Sequence, residues 1–196
     1  MLNEKFILIA VIASLIGIIP YFRGTLNGTV RPNRVSWFLW IVTAGIAFAA
    51  EIRQGVGFPA LTTLMAGFNP LLVFVATFFA PGQAVWKISR FDLSCGICAV
   101  LAIVLWQVSG SANVGLFFAI VAEVFAAIPT VHKAIGQPET ENALPFLSSN
   151  VRHVLKILTV AQWSFASLAF VLYDAFINNF IAFLVLRKRN KANVIT

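Results

Sequence analysis

Apolar residues run through this chain in long blocks, and polar residues collect in the short gaps between them. The blocks fall at positions 6–22, 35–50, 59–80, 93–108, 114–135, 144–159 and 164–186. Their lengths suit helices that cross all or most of a membrane core of ~30 Å, so the pattern predicts seven spans. Pro32 and Asn33 are start signals ahead of the second block, and Pro59 is a first-turn proline for the third. Ser109–Asn113 reads as a tight uncharged turn, and positions 83–92, with Trp86, Lys87 and Arg90, as an interfacial loop. No glycine or proline marks the boundary near Thr159–Gln162, the faintest of the set. The first block has no small-x-small cleavage site after it and reads as a retained span.

One gap occurs twice. The stretch 17–40, GIIPYFRGTLNGTVRPNRVSWFLW, has a fainter copy at 126–146, AAIPTVHKAIGQPETENALPF. Each carries Ile-Pro after an apolar run (Pro20, Pro129) and a second proline after a polar turn (Pro32, Pro138). A small polar residue follows (Ser36, Asn142), and then an aromatic (Trp40, Phe146). Aligning Asn69 with Asn178 extends the match to the third and seventh blocks; the Pro20–Pro129 offset places Ser14 on Glu123, and the Pro32–Pro138 offset places Ile46 on Arg152. The chain thus reads as two three-helix units, at 5–81 and 113–187, with a basic tail at 188–196. A three-helix unit starts and ends on opposite membrane sides, so a second copy is parallel only if one helix separates the two. The fourth block, at 92–109 and without polar landmarks, fits that linker role and gives a 3+1+3 all-α membrane protein in one transmembrane domain.

Composition agrees with a membrane setting. Hydrophobic residues are 60% of the 196 and charged ones 11%, against about 25% charged in ordinary soluble domains. The net charge of +7 does not point to nucleic acid, because no basic face with interleaved aromatics is present. The basic residues sort by gap instead. With seven spans, Arg23, Arg31, Arg34, Lys87, Arg90, Lys133, Arg187, Lys188, Arg189 and Lys191 share one side, and Lys5 and Arg53 the other. The positive-inside rule then puts the N-terminus outside and the C-terminus in the cytoplasm, in a plasma membrane.

Candidate chemistry sits inside the blocks. Asn69, beside Pro70 at mid-depth, needs help from neighbours or water; it is either a helix–helix hydrogen bond or a solute contact. Trp37 reads as interfacial belt, and Trp40, one turn deeper, as the wall of a cavity. Pro20 and Pro129 are either helix stops or paired hinges. Cys95 and Cys98 form a CxxC with no second pair nearby and read as packing residues. His132 and His153 lie on different helices without a third ligand, and no nucleophile elbow or phosphate loop occurs. Neither catalysis, a metal nor a cofactor is expected. Glu123, Arg152, Lys156 and Asp174 are charges within the second unit. A lone charge at mid-membrane costs about 2.5–3.5 kcal/mol on insertion scales, so pairing or a wet cavity is expected. Two acids and two bases permit a closed neutral network, with Lys156 near a helix end where it can snorkel. The cluster is either glue between helices, or a proton-coupling or charged-solute site with Glu123 or Asp174 titrating.

Two parallel three-helix repeats around a linker, with Pro20 and Pro129 in the first helix of each, resemble the SWEET sugar transporters and bacterial SemiSWEETs of the PQ-loop superfamily. The PQ dipeptide itself is replaced by Pro20-Tyr21 and Pro129-Thr130. The resemblance implies hinge prolines at those positions, substrate-pocket asparagines at Asn69 and Asn178, and a pocket tryptophan at Trp40. It further implies alternating access of a small polar solute, a sugar or similar, by rocking of two bundles in the lipid bilayer. Receptors also occur in the superfamily, so a non-transporting receptor, scaffold or accessory subunit is the alternative. Assembly into a homo-oligomer stays open.

Overall fold

The computed structural model describes residues 3–81 and 87–192, and it is all-helical. Trp86 lies outside the described residues, as do the side chains of Lys188, Arg189 and Lys191 in the basic tail. Seven α-helices follow in order: α1 (Ile7–Leu26), α2 (Arg34–Arg53), α3 (Leu61–Ala76), α4 (Arg90–Ser109), α5 (Ala112–Gly136), α6 (Leu144–Thr159) and α7 (Phe165–Ala192). Short 3-10 turns at Glu4–Phe6, Phe58–Ala60 and Pro138–Thr140 lead into α1, α3 and α6. Among the described residues, five of the helices are long and apolar enough to cross a membrane. α4 and α6 are not among the five; the 16 residues of α6 span about 24 Å.

Local chemistry explains the ends. Asn33 caps α2 by accepting from the backbone N–H groups of Val35 and Ser36, and its amide donates to Asp92 at the start of α4. Ser89 and Asp92 form a reciprocal capping box on α4. Gly110, at φ 64°, takes the left-handed turn that ends α4 and lets α5 begin almost at once. α6 stops at Val160, whose backbone is extended, so the break between α6 and α7 is real although no proline or glycine makes it.

The proline pattern requires a correction. Pro20 and Pro129 do not end their helices. α1 runs on to Leu26 and α5 to Gly136, because a proline deletes one hydrogen bond without forbidding helical residues after it. The stop reading therefore fails. α3 differs in the other direction and ends at Ala76, where Arg34 of α2 donates to the Thr77 carbonyl at 2.7 Å.

Packing among the first three helices recurs among the last three. α3 packs on both α1 and α2, and α7 on both α5 and α6. Across the middle, α1 packs on α6 and α2 on α5. α4 lies against α5 and, more lightly, α2. α1 and α6 meet where Gly17 faces Ser148, and a Cβ on Gly17 would lie 1.9 Å from the Ser148 hydroxyl oxygen.

The molecule is inverted relative to a soluble protein. Large apolar side chains such as Ile16, Phe79, Leu101, Phe176 and Phe183 are exposed on the outside. Glu51, Glu123, Lys133, Arg152, Lys156 and Asp174 are buried within. Charged side chains are almost never fully buried in water-soluble folds unless paired, whereas in a bilayer the interior is the less costly place for them. The chain has the build of a membrane protein.

Candidate functional site

The helix arrangement leaves a cavity of about 60 Å³ near the middle of the bundle, room for a few waters. Six of the seven helices line it; α4 does not. From α2 come Trp37 and Trp40, from α3 Asn69, from α5 Glu123, from α6 Phe146 and Arg152, and from α7 Asp174 and Asn178. The structure thus brings Trp40, Asn69, Asn178, Glu123, Arg152 and Asp174 to one place. Lys156 lies apart from this cavity, and Pro20 and Pro129 belong to the helices around it rather than to its wall.

The polar groups have unequal partners. Asn69 donates to the hydroxyl and carbonyl oxygens of Ser14 at 2.7 and 3.2 Å, while its own side-chain oxygen is buried and unpartnered. Asp174 is fully engaged: Arg152 donates to Oδ2 at 2.6 Å, His153 Nε2 lies 2.9 Å from the same oxygen, and Asn178 donates to Oδ1 at 2.6 Å. Glu123 has only the Thr43 hydroxyl and no ion pair among the described residues. The four charges therefore do not close into one network. Arg152 pairs with Asp174, Lys156 looks elsewhere, and Glu123 faces the cavity without a cation.

No family model, curated protein or solved structure matches this chain. Its chemistry has to be read from its own geometry.

Two buried polar latches tie helices together toward opposite ends of the bundle. At the end formed by the α1–α2 and α5–α6 loops, Glu141 accepts from the Tyr21 hydroxyl at 2.8 Å and pairs with Lys133 at 2.6 Å. Lys133 also donates to the Arg31 carbonyl, and the Arg31 N–H donates to the Thr140 carbonyl at 3.0 Å. Both loops belong to the repeated sequence stretch, and here they bind each other. Tyr21 also packs on Trp37, with ring centroids 4.8 Å apart, and edge-on to Phe146. The latch thereby rests on the aromatic wall of the cavity.

At the other end Lys156 of α6 pairs with Glu51 of α2 at 2.6 Å and donates to Thr63 of α3 at 2.6 Å. Thr63 in turn donates to Glu51 at 3.0 Å. Lys156 is 1% exposed, so the expectation that it snorkels fails: a buried carboxylate satisfies it where it stands. Beyond this latch a polar recess of about 340 Å³ opens between the α2–α3 and α6–α7 turns, lined by Gln54, Gln162, Ser164 and Ser167. A second hollow beside Lys156, His153 and Thr63 shares Arg152 and Asp174 with the central cavity.

Several of these residues were not legible as site residues. Tyr21, Thr43, Glu141 and Lys133 carry no motif. Trp37, expected at the interface, is 3% exposed and lines the cavity, because its turn of α2 faces α1 and α6 rather than lipid. Glu51, expected in a loop, sits in the last turn of α2. One signal pointed to it: α2 and α6 end on the same side, so an acid near one end and a base near the other match in depth.

Proposed function

We propose that this chain is an integral membrane transporter. It moves a small polar solute by alternating access between two parallel three-helix bundles, α1–α3 and α5–α7, with α4 as linker, in the manner of SWEETs and SemiSWEETs. One observation carries the reading. A central cavity with a few convergent polar groups lies among α1–α3 and α5–α7, and each of two buried polar latches toward opposite ends of the bundle ties residues of one set to residues of the other. Breaking one latch while keeping the other would open the cavity to one side only. The recurrence of helix pairings supports the 3+1+3 plan. The wall suits a polar, uncharged portion of a solute, with an indole face at Trp40, an unpartnered amide oxygen at Asn69 and the amide of Asn178. A cavity of about 60 Å³ is well below the ~300–1,000 Å³ of ligand sites, so solute binding requires it to widen.

Spin-label distances test the reading without knowledge of the solute. One pair of labels spans the α1–α2 and α5–α6 loops, the other the α2–α3 and α6–α7 turns. In lipid, each pair should show two populations, and opening at one end should accompany closure at the other. A single fixed distance at both ends would overturn transport and favour a receptor or scaffold. Uptake of radiolabelled sugars, polyols and amino acids into proteoliposomes then names the solute, with Asn69→Ala and Asn178→Ala expected to weaken it.

A further inference from the structure

Resting on the transporter reading, we infer that Glu123 carries a proton across the membrane together with the solute. Its place is the first argument. Glu123 is 4% exposed, lies in the middle of α5 and lines the cavity that both bundles share. The groups facing it are few. From α6 comes Arg152, which is committed to Asp174 at 2.6 Å. From α7 come Asp174 and Tyr173. From α2 comes Thr43. On α4 the charged residues, Arg90 and Asp92, lie in the first turn, and Cys95 and Cys98 are its other titratable groups. Among the described residues, the nearby Arg152 and His153 both face Asp174, and no other cation stands by for an ionised Glu123.

Charge balance is the second argument. With Glu123 ionised and the His153 imidazole neutral, two carboxylates face one guanidinium, and the centre of the bundle holds an excess negative charge. With Glu123 protonated the excess disappears. Burying an uncompensated charge at this depth is costly, so the closed cavity favours the neutral acid.

Hydrogen-bond accounting is the third. The Thr43 hydroxyl has one proton and three acceptors in reach, the Leu39 carbonyl at 2.9 Å, the Trp40 carbonyl at 3.5 Å and Glu123 Oε2. A hydroxyl donates once and accepts through its lone pairs. If Thr43 donates to Leu39, its contact with Glu123 is satisfied only by a carboxylic acid that donates. Asp174 is the opposite case: Arg152 and Asn178 both donate to it, one on each oxygen, which suits a carboxylate.

The cycle balances as follows. With the cavity open to one side, water solvates Glu123 and a proton joins its carboxylate from that side. Closure then buries a neutral acid hydrogen-bonded from α5 to Thr43 of α2, across the two bundles. Opening to the other side lets water take the proton, and the empty carrier returns with the Glu123 carboxylate facing the Arg152 guanidinium that lines the same cavity. One proton crosses per solute, and a neutral solute carries one net positive charge with it.

Proteoliposomes holding the full chain, challenged with the radiolabelled panel of sugars, polyols and amino acids, test this. For one-to-one coupling without a membrane potential, an inward gradient of one pH unit should accumulate the transported compound about tenfold. Glu123→Gln, which mimics the protonated acid and cannot release it, should lose this accumulation yet still exchange labelled for unlabelled compound. Accumulation in wild type that ignores the pH gradient, or follows a sodium gradient instead, would overturn the proposal. Infrared spectra of the protein in lipid do not depend on the panel. The carbonyl band of a protonated carboxylic acid should be present at neutral pH in wild type and absent from Glu123→Gln. A wild-type spectrum without that band would overturn the proton site even if the spin labels show alternating access.

Discussion

Lys156 illustrates how this chain tolerates charge inside a membrane protein. Its ammonium group is buried, but Glu51 and Thr63 both lie 2.6 Å away. Removing one member of such a pair leaves the other as an uncompensated buried charge, at a cost of about 3–5 kcal/mol, whereas replacing both with apolar residues is often neutral. Lys156→Met should therefore lower thermal stability in detergent by that order, and Lys156→Met combined with Glu51→Leu should recover most of it. Equal loss in the single and double variants would mean that the pair is not what holds α6 to α2. The opposite latch allows a gentler test. Tyr21→Phe removes the hydroxyl that donates to Glu141 and leaves the ring between Trp37 and Phe146. A cost of about 1–3 kcal/mol in the same assay is expected, the range for a buried partner left unsatisfied.

At the scale of helices, close approach and bending make different demands on the sequence. Gly17 lets α1 touch α6, and any Cβ there runs into the Cβ and hydroxyl of Ser148. Gly17→Ala should cost about 1–3 kcal/mol, as overpacking does. Gly45, in α2, has nothing within 4 Å of an added Cβ, so Gly45→Ala should raise stability by about 0.5–1 kcal/mol through helix propensity. Melting curves of the two variants should move in opposite directions. Pro20 and Pro129 lie inside helices that continue past them. Replacing either with Ala should leave the protein in the membrane and slow interconversion of the spin-label populations, and unchanged rates in both variants would make them packing residues. The helices themselves were legible from hydropathy, because apolar length and gap chemistry are local properties. The end of α1 was misread since Pro20 looks like a stop when seen alone. The pairings 51–156, 21–141 and 31–133 were not legible, because an apolar pattern encodes depth and face but not which helix lies alongside. Asn69, Asn178, Trp40 and Glu123 could be picked out because a polar or indole group at mid-depth is conspicuous in an apolar block. Their convergence on one cavity needed the fold.

For the whole molecule sidedness follows from the number of crossings: among the described residues five helices meet the length and hydropathy of a span, α4 and α6 are not among them, and α6 is short and polar. α6 packs on α1 and α7, and its charged face is satisfied within the protein. It can therefore complete a crossing without meeting lipid on that face, much as irregular segments do when neighbouring helices shield them. If it does, and the 20-residue α4 crosses as well, there are seven crossings, and the Tyr21–Glu141–Lys133 latch shares a side with the cluster of arginines and lysines in the gaps. The positive-inside rule makes that side cytoplasmic, and the Lys156–Glu51 latch with its polar recess then faces out. Single cysteines at positions 3, 113 and 190, in a background with Cys95 and Cys98 replaced, can decide the matter on intact cells. An impermeant thiol reagent should label Asn3→Cys and Asn113→Cys directly, and Asn190→Cys only after permeabilisation. Direct labelling at 190 together with 3 would require an even number of crossings. α6 would then be a buried, non-spanning helix, and the two latches would no longer lie on opposite faces of the membrane. Alternating access through this cavity would fail with them.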